Sequence, residues 1–318
     1  MTKQLKTMTL ENERFRFEIL NYGARILELS IVTEDKIRRN LVLEYSQIES
    51  YRTDPFYLNA MIGPFAGRIA NGTYAINGKV VYHELNDGTN SLHAGVNGLH
   101  HHYFELTRVN ECVVATTTDN DGTQYVITYL LDERGLLINM EAIPQKPVHL
   151  NLTQHTYFNL NGDSTIREHH LKIASDCLYF VDEHSIPVRK HDISADIFDF
   201  NHAKSLGMVL NQKHPQFEIT KNIDHPYHLI EGKVVLSELK YGITLIVESD
   251  APYAIIYLGN HLGDAEQTLS NGRMLRDYAG IAIEPQTLPN AINTGETNTV
   301  YDKDHHFKRW IRYTIRRR

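Results

Sequence analysis

Apolar and polar side chains alternate along most of the chain. The alternation is clearest over residues 15–19, 27–31 and 243–247. Because alternate side chains of a strand share a face, this period of two predicts half-buried strands of antiparallel sheets. Asn-Gly or Asp-Gly pairs, which favour tight turns, separate many of these segments, at residues 77–78, 87–88, 121–122, 161–162 and 271–272.

Helical patterns are few. Residues 43–51 and 202–210 favour short helices, and there is no strand–helix–strand rhythm and no phosphate-binding glycine loop. No linker rich in proline, glycine or serine divides the chain. We therefore predict an all-β protein, a large antiparallel two-sheet β-sandwich with few short helices, forming one domain over residues 1–318.

Composition limits the partners and the cellular location that we expect for the protein. The 318 residues carry a net charge of −7, which gives no reason to expect a nucleic-acid partner. Cys112 and Cys177 are far apart and suggest neither a disulfide framework nor a zinc site. The segment Met1–Lys6 lacks the apolar core of a signal peptide, and no apolar run is long enough to span a membrane. We expect a cytoplasmic protein without membrane contact, in which exposed sheet edges could pair two copies into a homodimer.

One apolar segment contains an acid. In Ile281-Ala282-Ile283-Glu284-Pro285-Gln286, strand alternation places Ile281 and Ile283 on one face and Ala282 and Glu284 on the other. A desolvated carboxylate has a raised pKa, as a general base working near neutral pH requires. The alternative is a glutamate at a strand end that pairs with an arginine.

Two histidine motifs accompany this acid. One is Asn90-Ser91-Leu92-His93-Ala94-Gly95, and the other runs from Asn151 to Leu160 around His155. Alternation in the second motif predicts one polar face formed by Asn151, Thr153, His155 and Tyr157. A histidine there suits proton donation, because its pKa lies near working pH. Taken alone, each histidine is better explained by a structural role.

Together these motifs resemble the aldose 1-epimerase (galactose mutarotase) family. The resemblance covers nearly the whole chain, and its motifs occur in the family's order: Asn21-Tyr22-Gly23-Ala24, Gly67-Arg68-Ile69, Leu92-His93-Ala94-Gly95, His155 to Leu160, Ile223-Asp224-His225, Glu284-Pro285-Gln286 and Asn293. It implies a large antiparallel sandwich that holds a sugar on its concave face. It also implies interconversion of the α and β anomers of free aldohexoses such as galactose and glucose.

That reaction needs one base and one acid. The base removes the proton of the C1 hydroxyl while the acid protonates the ring oxygen; the ring then opens and recloses as the other anomer. No metal, nucleotide or other cofactor is required, so the expected partner is a small-molecule aldose.

The resemblance assigns roles to particular residues. It implies Glu284 as the base and His155 as the acid, with His93, Arg68 and Asp224 binding the sugar. Asn90 either contacts the sugar or forms the turn before His93. Gln286 shares a strand face with Glu284, which it can orient, and we include it among the substrate-binding residues.

Some positions depart from the family's pattern. Its first motif, Gly-Arg-x-x-Asn-Arg-Ile, here reads Gly63 to Ile69 with Pro64 in place of the first arginine. Ala94 replaces a glycine, which adds a methyl group to the turn. The segment from His100 to Phe104 stands where the family often has a tryptophan. These departures bear on which sugar is preferred.

Three other functions fit parts of the pattern. A noncatalytic carbohydrate-binding sandwich would need no acid–base pair, and a glycoside hydrolase would use Asp224 and Glu284 as its two carboxylates. A metalloenzyme would draw on histidine clusters at residues 100–102, 169–170 and 225–228. We expect no metal site, since no carboxylate stands in a recognisable ligand pattern beside those histidines.

Overall fold

The structure, a computed structural model, describes residues 3–33 and 36–317. Met1 and Thr2, in the segment assessed for a signal peptide, lie outside the described residues. Within them no helix is both long and apolar enough to cross a membrane.

Strands dominate the first half of the described chain. In order they are β1 (Thr7–Glu11), β2 (Phe15–Leu20), β3 (Arg25–Val32), β4 (Arg38–Asn40), β5 (Met61–Ile62), β6 (Arg68–Ile69), β7 (Thr73–Ile76), β8 (Lys79–Tyr82), β9 (Ser91–Leu92), β10 (Glu105–Val109), β11 (Cys112–Thr118), β12 (Gln124–Asp132), β13 (Gly135–Ile143), β14 (Val148–His149), β15 (Thr153–Gln154) and β16 (Tyr157–Phe158).

The second half continues in the same way. Its strands are β17 (His169–Ile173), β18 (Cys177–Val181), β19 (Pro187–Asp192), β20 (Lys204–Ser205), β21 (Asp224–His228), β22 (Lys233–Glu238), β23 (Ile243–Ser249), β24 (Tyr253–Tyr257), β25 (Ile281–Gln286), β26 (Val300–Tyr301) and β27 (Phe307–Arg317). The alternating segments predicted near residues 15, 27 and 243 are thus confirmed as β2, β3 and β23.

Helices are short, as predicted. The α-helices are α1 (Leu206–Val209), α2 (Pro215–Thr220) and α3 (Ala291–Thr294), and single 3-10 turns cover Ile48–Thr53, Ala70–Gly72, Gly95–Asn97 and Leu99–His101. The helix expected over residues 43–51 is only the 3-10 turn from Ile48, and the one expected over 202–210 is α1.

Two large antiparallel sheets form the sandwich. The nine-stranded sheet has the order β10-β11-β12-β13-β27-β23-β22-β17-β20, and the six-stranded sheet has the order β16-β25-β24-β21-β18-β19. Strands β1 to β4 form a further four-stranded sheet. The Asn77-Gly78 turn joins β7 and β8, and both residues have the positive φ angles of 51° and 76° that a two-residue hairpin turn requires.

The main core lies between the two large sheets. Phe158 of the six-stranded sheet packs against Tyr313 of the nine-stranded sheet with ring centroids 5.0 Å apart. Ile281 and Ile283 point into this core, while Ala282 belongs to a separate apolar cluster on the other face of β25. The predicted alternation along β25 is confirmed, and it turns Glu284 away from the core.

Candidate active site

A cavity of about 390 Å³ opens on the face of the six-stranded sheet that points away from the nine-stranded sheet. Its floor consists of alternate residues of neighbouring strands: Glu284 and Gln286 of β25, Ile255 and Tyr257 of β24, and Asp224 and Pro226 of β21. A cavity of this size, with a few convergent polar groups, suits a small-molecule ligand.

Glu284 and His155 meet at the bottom of this cavity. Glu284 Oε1 lies 3.3 Å from His155 Nε2, and their side chains are only 4% and 6% exposed. Burial raises the pKa of Glu284 well above its usual range, with a further increase from Asp224 and a smaller opposing effect of Arg68. Burial also lowers the pKa of His155, to about 4. Each shift disfavours the charged form, so the pair holds one proton between them across the neutral range.

An interrupted strand places His155 at the cavity. The chain pairs with β5 through β15, breaks at His155 and Thr156, and pairs again with β25 through β16. The His155 backbone is held on both sides, because its N–H donates to Ala60 O (2.9 Å) and its carbonyl accepts from Asn59 N (3.0 Å). The predicted common face is therefore only half formed: His155 and Tyr157 line the cavity, whereas Asn151 and Thr153 do not.

Gln286 is oriented toward Glu284. Its Oε1 accepts a hydrogen bond from Asn151 Nδ2 (3.2 Å), which directs its Nε2 group to Glu284 Oε2, 3.4 Å away. Asn151 is itself held, since its Oδ1 accepts from Arg309 Nη1 (3.1 Å) and from the Thr287 amide (2.9 Å). This chain of contacts fixes the direction of the Glu284 carboxylate.

Charged groups line the rim of the cavity. Arg68 Nε donates to Asp87 Oδ2 at 2.5 Å, and the two side chains remain 22% and 36% exposed. Asp224 lines the same cavity, and burial raises the pKa of its carboxyl group against the opposing charge of Arg68. Hydroxyl groups of a sugar can accept from the guanidinium and donate to the carboxylates in charge-assisted hydrogen bonds.

His93 is a hydrogen-bond donor to the cavity. Its Nδ1 accepts from the Gly67 amide at 3.1 Å, which leaves the proton of the neutral ring on Nε2. Burial lowers its pKa well below the usual value, and the charges of His155, His100 and Arg68 add to this effect. Ala94, the departure from glycine, keeps a left-handed φ of 65°, and its methyl group is buried.

Asn90 does not line the cavity. Its side-chain oxygen accepts from the Asn71 amide (3.1 Å), and its backbone pairs with Asp87 in a tight turn. The geometry therefore favours the turn-forming alternative for Asn90. Pro64, another of the departures from the family's pattern, is also not among the lining residues.

The lining residues that the sequence did not predict include Tyr57 and Asp87. In the sequence Asp87 is visible only as the first residue of an Asp-Gly turn. The fold brings it to the Arg68 guanidinium, 19 residues earlier in the chain. Tyr57 lies in a loop where the sequence has no periodic pattern. No signal in the chain pointed to it.

The histidine clusters do not form a common site. His101 Nδ1 lies 3.0 Å from the Tyr22 hydroxyl and His102 Nδ1 lies 3.4 Å from Thr117 Oγ1, while His100 packs against Tyr57. Across the described part of the chain, one group could hold a metal ion, formed by Asp176, Cys177 and His228. None of its members lines the cavity, and His228 Nδ1 already lies 2.7 Å from Asp176 Oδ1.

Comparison with known proteins decides the family. The family model described as aldose 1-epimerase matches residues 6–314. The chain belongs to the aldose 1-epimerase family.

Relatives with known names match the sequence of this chain over most of its length. The chain is 31% identical over 299 residues to the aldose 1-epimerase of Escherichia coli, covering 87% of this chain and 84% of that protein. It is 30% identical over 308 residues to the Haemophilus influenzae aldose 1-epimerase (91% and 88%) and 28% identical over 299 residues to the human galactose mutarotase (89% and 86%).

Solved structures share the fold. The galactose 1-epimerase of Lactobacillus acidophilus superimposes with a TM-score of 0.87 at 28% identity over 99% of this chain and 95% of that one. An aldose epimerase homologue from C. elegans gives 0.90 at 24% identity over 99% of both chains. The predicted galactose mutarotase-like sandwich is confirmed. As a member of the aldose 1-epimerase family, the chain is an isomerase with mutarotase activity.

Proposed function

We propose that this chain interconverts the α and β anomers of free aldohexoses such as galactose and glucose, with Glu284 as the base and His155 as the acid. The observation that carries the assignment is the 3.3 Å contact between Glu284 Oε1 and His155 Nε2 at the bottom of the cavity. The two oxygens of a hemiacetal are bonded to one carbon, so a base and an acid that serve them must lie close together.

The proton transfers balance over one cycle. The cycle starts from the ionic form of the pair, in which the shared proton is on His155. The Glu284 carboxylate takes the proton of the C1 hydroxyl while His155 Nε2 gives its proton to the ring oxygen, and the C1–O5 bond breaks to leave an open-chain aldehyde. After rotation about C1–C2, His155 recovers its proton from the C5 hydroxyl as that oxygen attacks C1. Glu284 then returns its proton to the C1 oxygen. The roles reverse because each group ends the ring opening in the other's starting state.

The remaining lining groups hold the sugar in place. His93 donates from Nε2, and the pair of Arg68 and Asp87, together with Asp224, binds ring hydroxyls. Gln286 keeps Glu284 oriented, and we assign it no direct part in proton transfer. Such positioning prevents the open-chain intermediate from leaving before it recloses.

A hydrolase or a simple sugar-binding protein has less support. The buried groups that touch Glu284 are the His155 imidazole and the Gln286 amide, whereas the usual glycoside hydrolase flanks the scissile bond with two carboxyl groups. A binding protein would gain nothing from burying a carboxylate against a histidine, since the shifts in both pKa values show the cost of desolvation.

Polarimetry tests the proposal directly. Freshly dissolved α-D-galactose and α-D-glucose are followed with wild-type protein, with Glu284→Gln and with Glu266→Gln, an exposed glutamate outside the cavity as the matched control. We expect acceleration by wild type and control, and a loss of about 10²–10⁴-fold in Glu284→Gln, the range typical of general acid–base catalysis.

Two results would overturn the assignment. No acceleration of either sugar by wild type would reject these aldohexoses as substrates. Full turnover by Glu284→Gln would reject Glu284 as the base. Calorimetric sugar binding by the variant shows that the loss is one of proton transfer and not of the cavity.

We also propose a single domain over residues 1–318, a cytoplasmic location and a homodimer. One core cluster that draws on residues from Leu10 to Ile315 supports the first. The unpaired thiols of Cys112 and Cys177 agree with a reducing compartment and support the second. The homodimer rests on the sheet edges, and analytical ultracentrifugation tests it.

A further inference from the structure

Tyr57 forms one wall of the cavity in an unusual backbone conformation. It lines the cavity beside Phe56, and its φ of 55° is left-handed, a region that bulky residues rarely adopt. Its neighbour but one, Asn59, has a φ of 56° as well. Backbone strain of this kind persists only where the surroundings enforce it, and it concentrates at functional sites.

The surroundings of this loop do enforce it. The buried Asp54 carboxylate accepts from the Phe56 amide (3.0 Å) and the Leu58 amide (2.6 Å), on either side of Tyr57. Asn59 is fixed by its side chain, which donates to Leu43 O (2.6 Å) and accepts from the Tyr157 amide (2.9 Å). The loop is therefore held at both ends and presents Tyr57 in one orientation.

The ring of Tyr57 lies against the histidines of the site. Its centroid is 4.6 Å from that of His93 in an edge-on contact and 6.1 Å from that of His155. It also meets the buried His100 at 4.8 Å, again edge-on. One ring therefore limits the rotation of the His93 and His155 imidazoles and shields them from water.

Tyr57 lines the cavity together with Arg68 and Asp87, the pair to which we assign sugar hydroxyls. Burial raises the pKa of the Tyr57 hydroxyl to about 12, with Asp87 adding to the increase and Arg68 opposing it, so the group stays a protonated phenol that can donate and accept. The charges of Asp87, Arg68 and Asp54 act on this hydroxyl, and the Asn86 side chain is hydrogen-bonded to it.

We propose that Tyr57 is a positioning and specificity-determining residue, whose ring holds His93 and His155 in place and whose hydroxyl binds a sugar hydroxyl beside Arg68 and Asp87. This inference rests on the proposed function, since it assigns the ring of Tyr57 to the acid–base pair and its hydroxyl to sugar binding. The two duties are separable, because phenylalanine removes only the hydroxyl and leucine removes the ring.

Steady-state kinetics of the two variants tests both duties. For Tyr57→Phe we expect KM to rise about two- to tenfold with kcat unchanged, the effect of one lost hydrogen bond. For Tyr57→Leu we expect a lower kcat and an acid limb of the pH profile that moves up from about 4, because water then reaches His155. The groups facing His155 that also influence this limb are Glu284, His93 and Tyr157, with the charges of Arg25 and Asp54 farther away.

Controls keep the outcomes distinct. Tyr82→Phe, at an exposed tyrosine outside the cavity, should leave every parameter unchanged. An unchanged KM in Tyr57→Phe refutes the hydroxyl's role, and an unmoved acid limb in Tyr57→Leu refutes the ring's role. Failure of the wild type to turn over an aldose defeats the proposed function instead; calorimetric sugar affinities of wild type and Tyr57→Phe then still decide whether the hydroxyl binds sugar.

Discussion

The buried ion pair of Arg25 and Asp54 should be among the most sensitive positions for stability. Asp54 Oδ2 accepts from Arg25 Nη1 at 2.7 Å, and the two side chains are 0% and 1% exposed respectively. The Tyr45 hydroxyl also donates to Asp54, at 2.7 Å. Replacing Asp54 with Asn keeps the size of the side chain and leaves the guanidinium of Arg25 buried without its counter-charge.

The cost follows from the burial of both charges. Removing one partner of a buried pair destabilises a protein by about 3–5 kcal/mol, because the remaining charge is uncompensated. At about 2 °C per kcal/mol for a chain of this size, we expect Asp54→Asn to lower Tm by roughly 6–10 °C. Urea unfolding followed by circular dichroism measures the free energy, and calorimetry measures the shift in Tm.

A second pair of equal length provides the matched control. Asp176 Oδ1 lies 2.7 Å from His228 Nδ1, but these side chains are 54% and 35% exposed. Solvent screens exposed pairs, so Asp176→Asn should cost less than about 1 kcal/mol. If the two variants lose similar small amounts, burial does not amplify the Arg25–Asp54 interaction and the reasoning is wrong.

Two further predictions concern the site. Glu284 has a raised pKa and His155 a pKa of about 4. In polarimetric assays kcat/KM should therefore fall below about pH 4, where the pair gains a second proton, and should fall again only when pH rises through the raised pKa of Glu284. An alkaline loss of activity that begins near the ordinary carboxylate pKa of about 4.3 would contradict this. Gly67→Ala should lower the free energy of unfolding by about 1–2 kcal/mol, because its φ is 75°. It should also lower kcat/KM, because a Cβ there would lie 2.7 Å from Pro289 and displace the amide that holds His93. The control is Gly78→Ala, with a φ of 76° and no atom within 4 Å, which should show the backbone cost alone.

Strand alternation and the family resemblance together predicted much of the candidate site. Alternation along β25 placed Glu284 opposite the core, and the resemblance grouped it with His155, His93, Arg68 and Asp224, all of which line one cavity. Strand geometry fixes the face of Glu284, whereas the roles assigned to the five residues stay predictions.

The parts of the site that the sequence did not predict depend on irregular backbone conformations. The break at His155 and Thr156 divides the predicted polar face, because pairing passes from β5 to β25 within four residues. Tyr57 reaches the cavity in a left-handed conformation that its near neighbours Asp54 and Asn59 hold. These two residues are fixed in turn by contacts with Arg25 and Tyr157, which are distant along the chain. Such tertiary constraints leave no periodic trace in a sequence.

The position of β27 has a consequence for how the protein folds during synthesis. This eleven-residue strand lies in the middle of the nine-stranded sheet, between β13 and β23, and brings together Arg312 and Asp132, which are 180 residues apart. Until residues 307–317 have left the ribosome, β13 and β23 each present an unpaired edge, the kind of surface that invites aggregation. The sheet therefore closes only after residues 307–317 are made, and its folding should be slow and sensitive to chaperones.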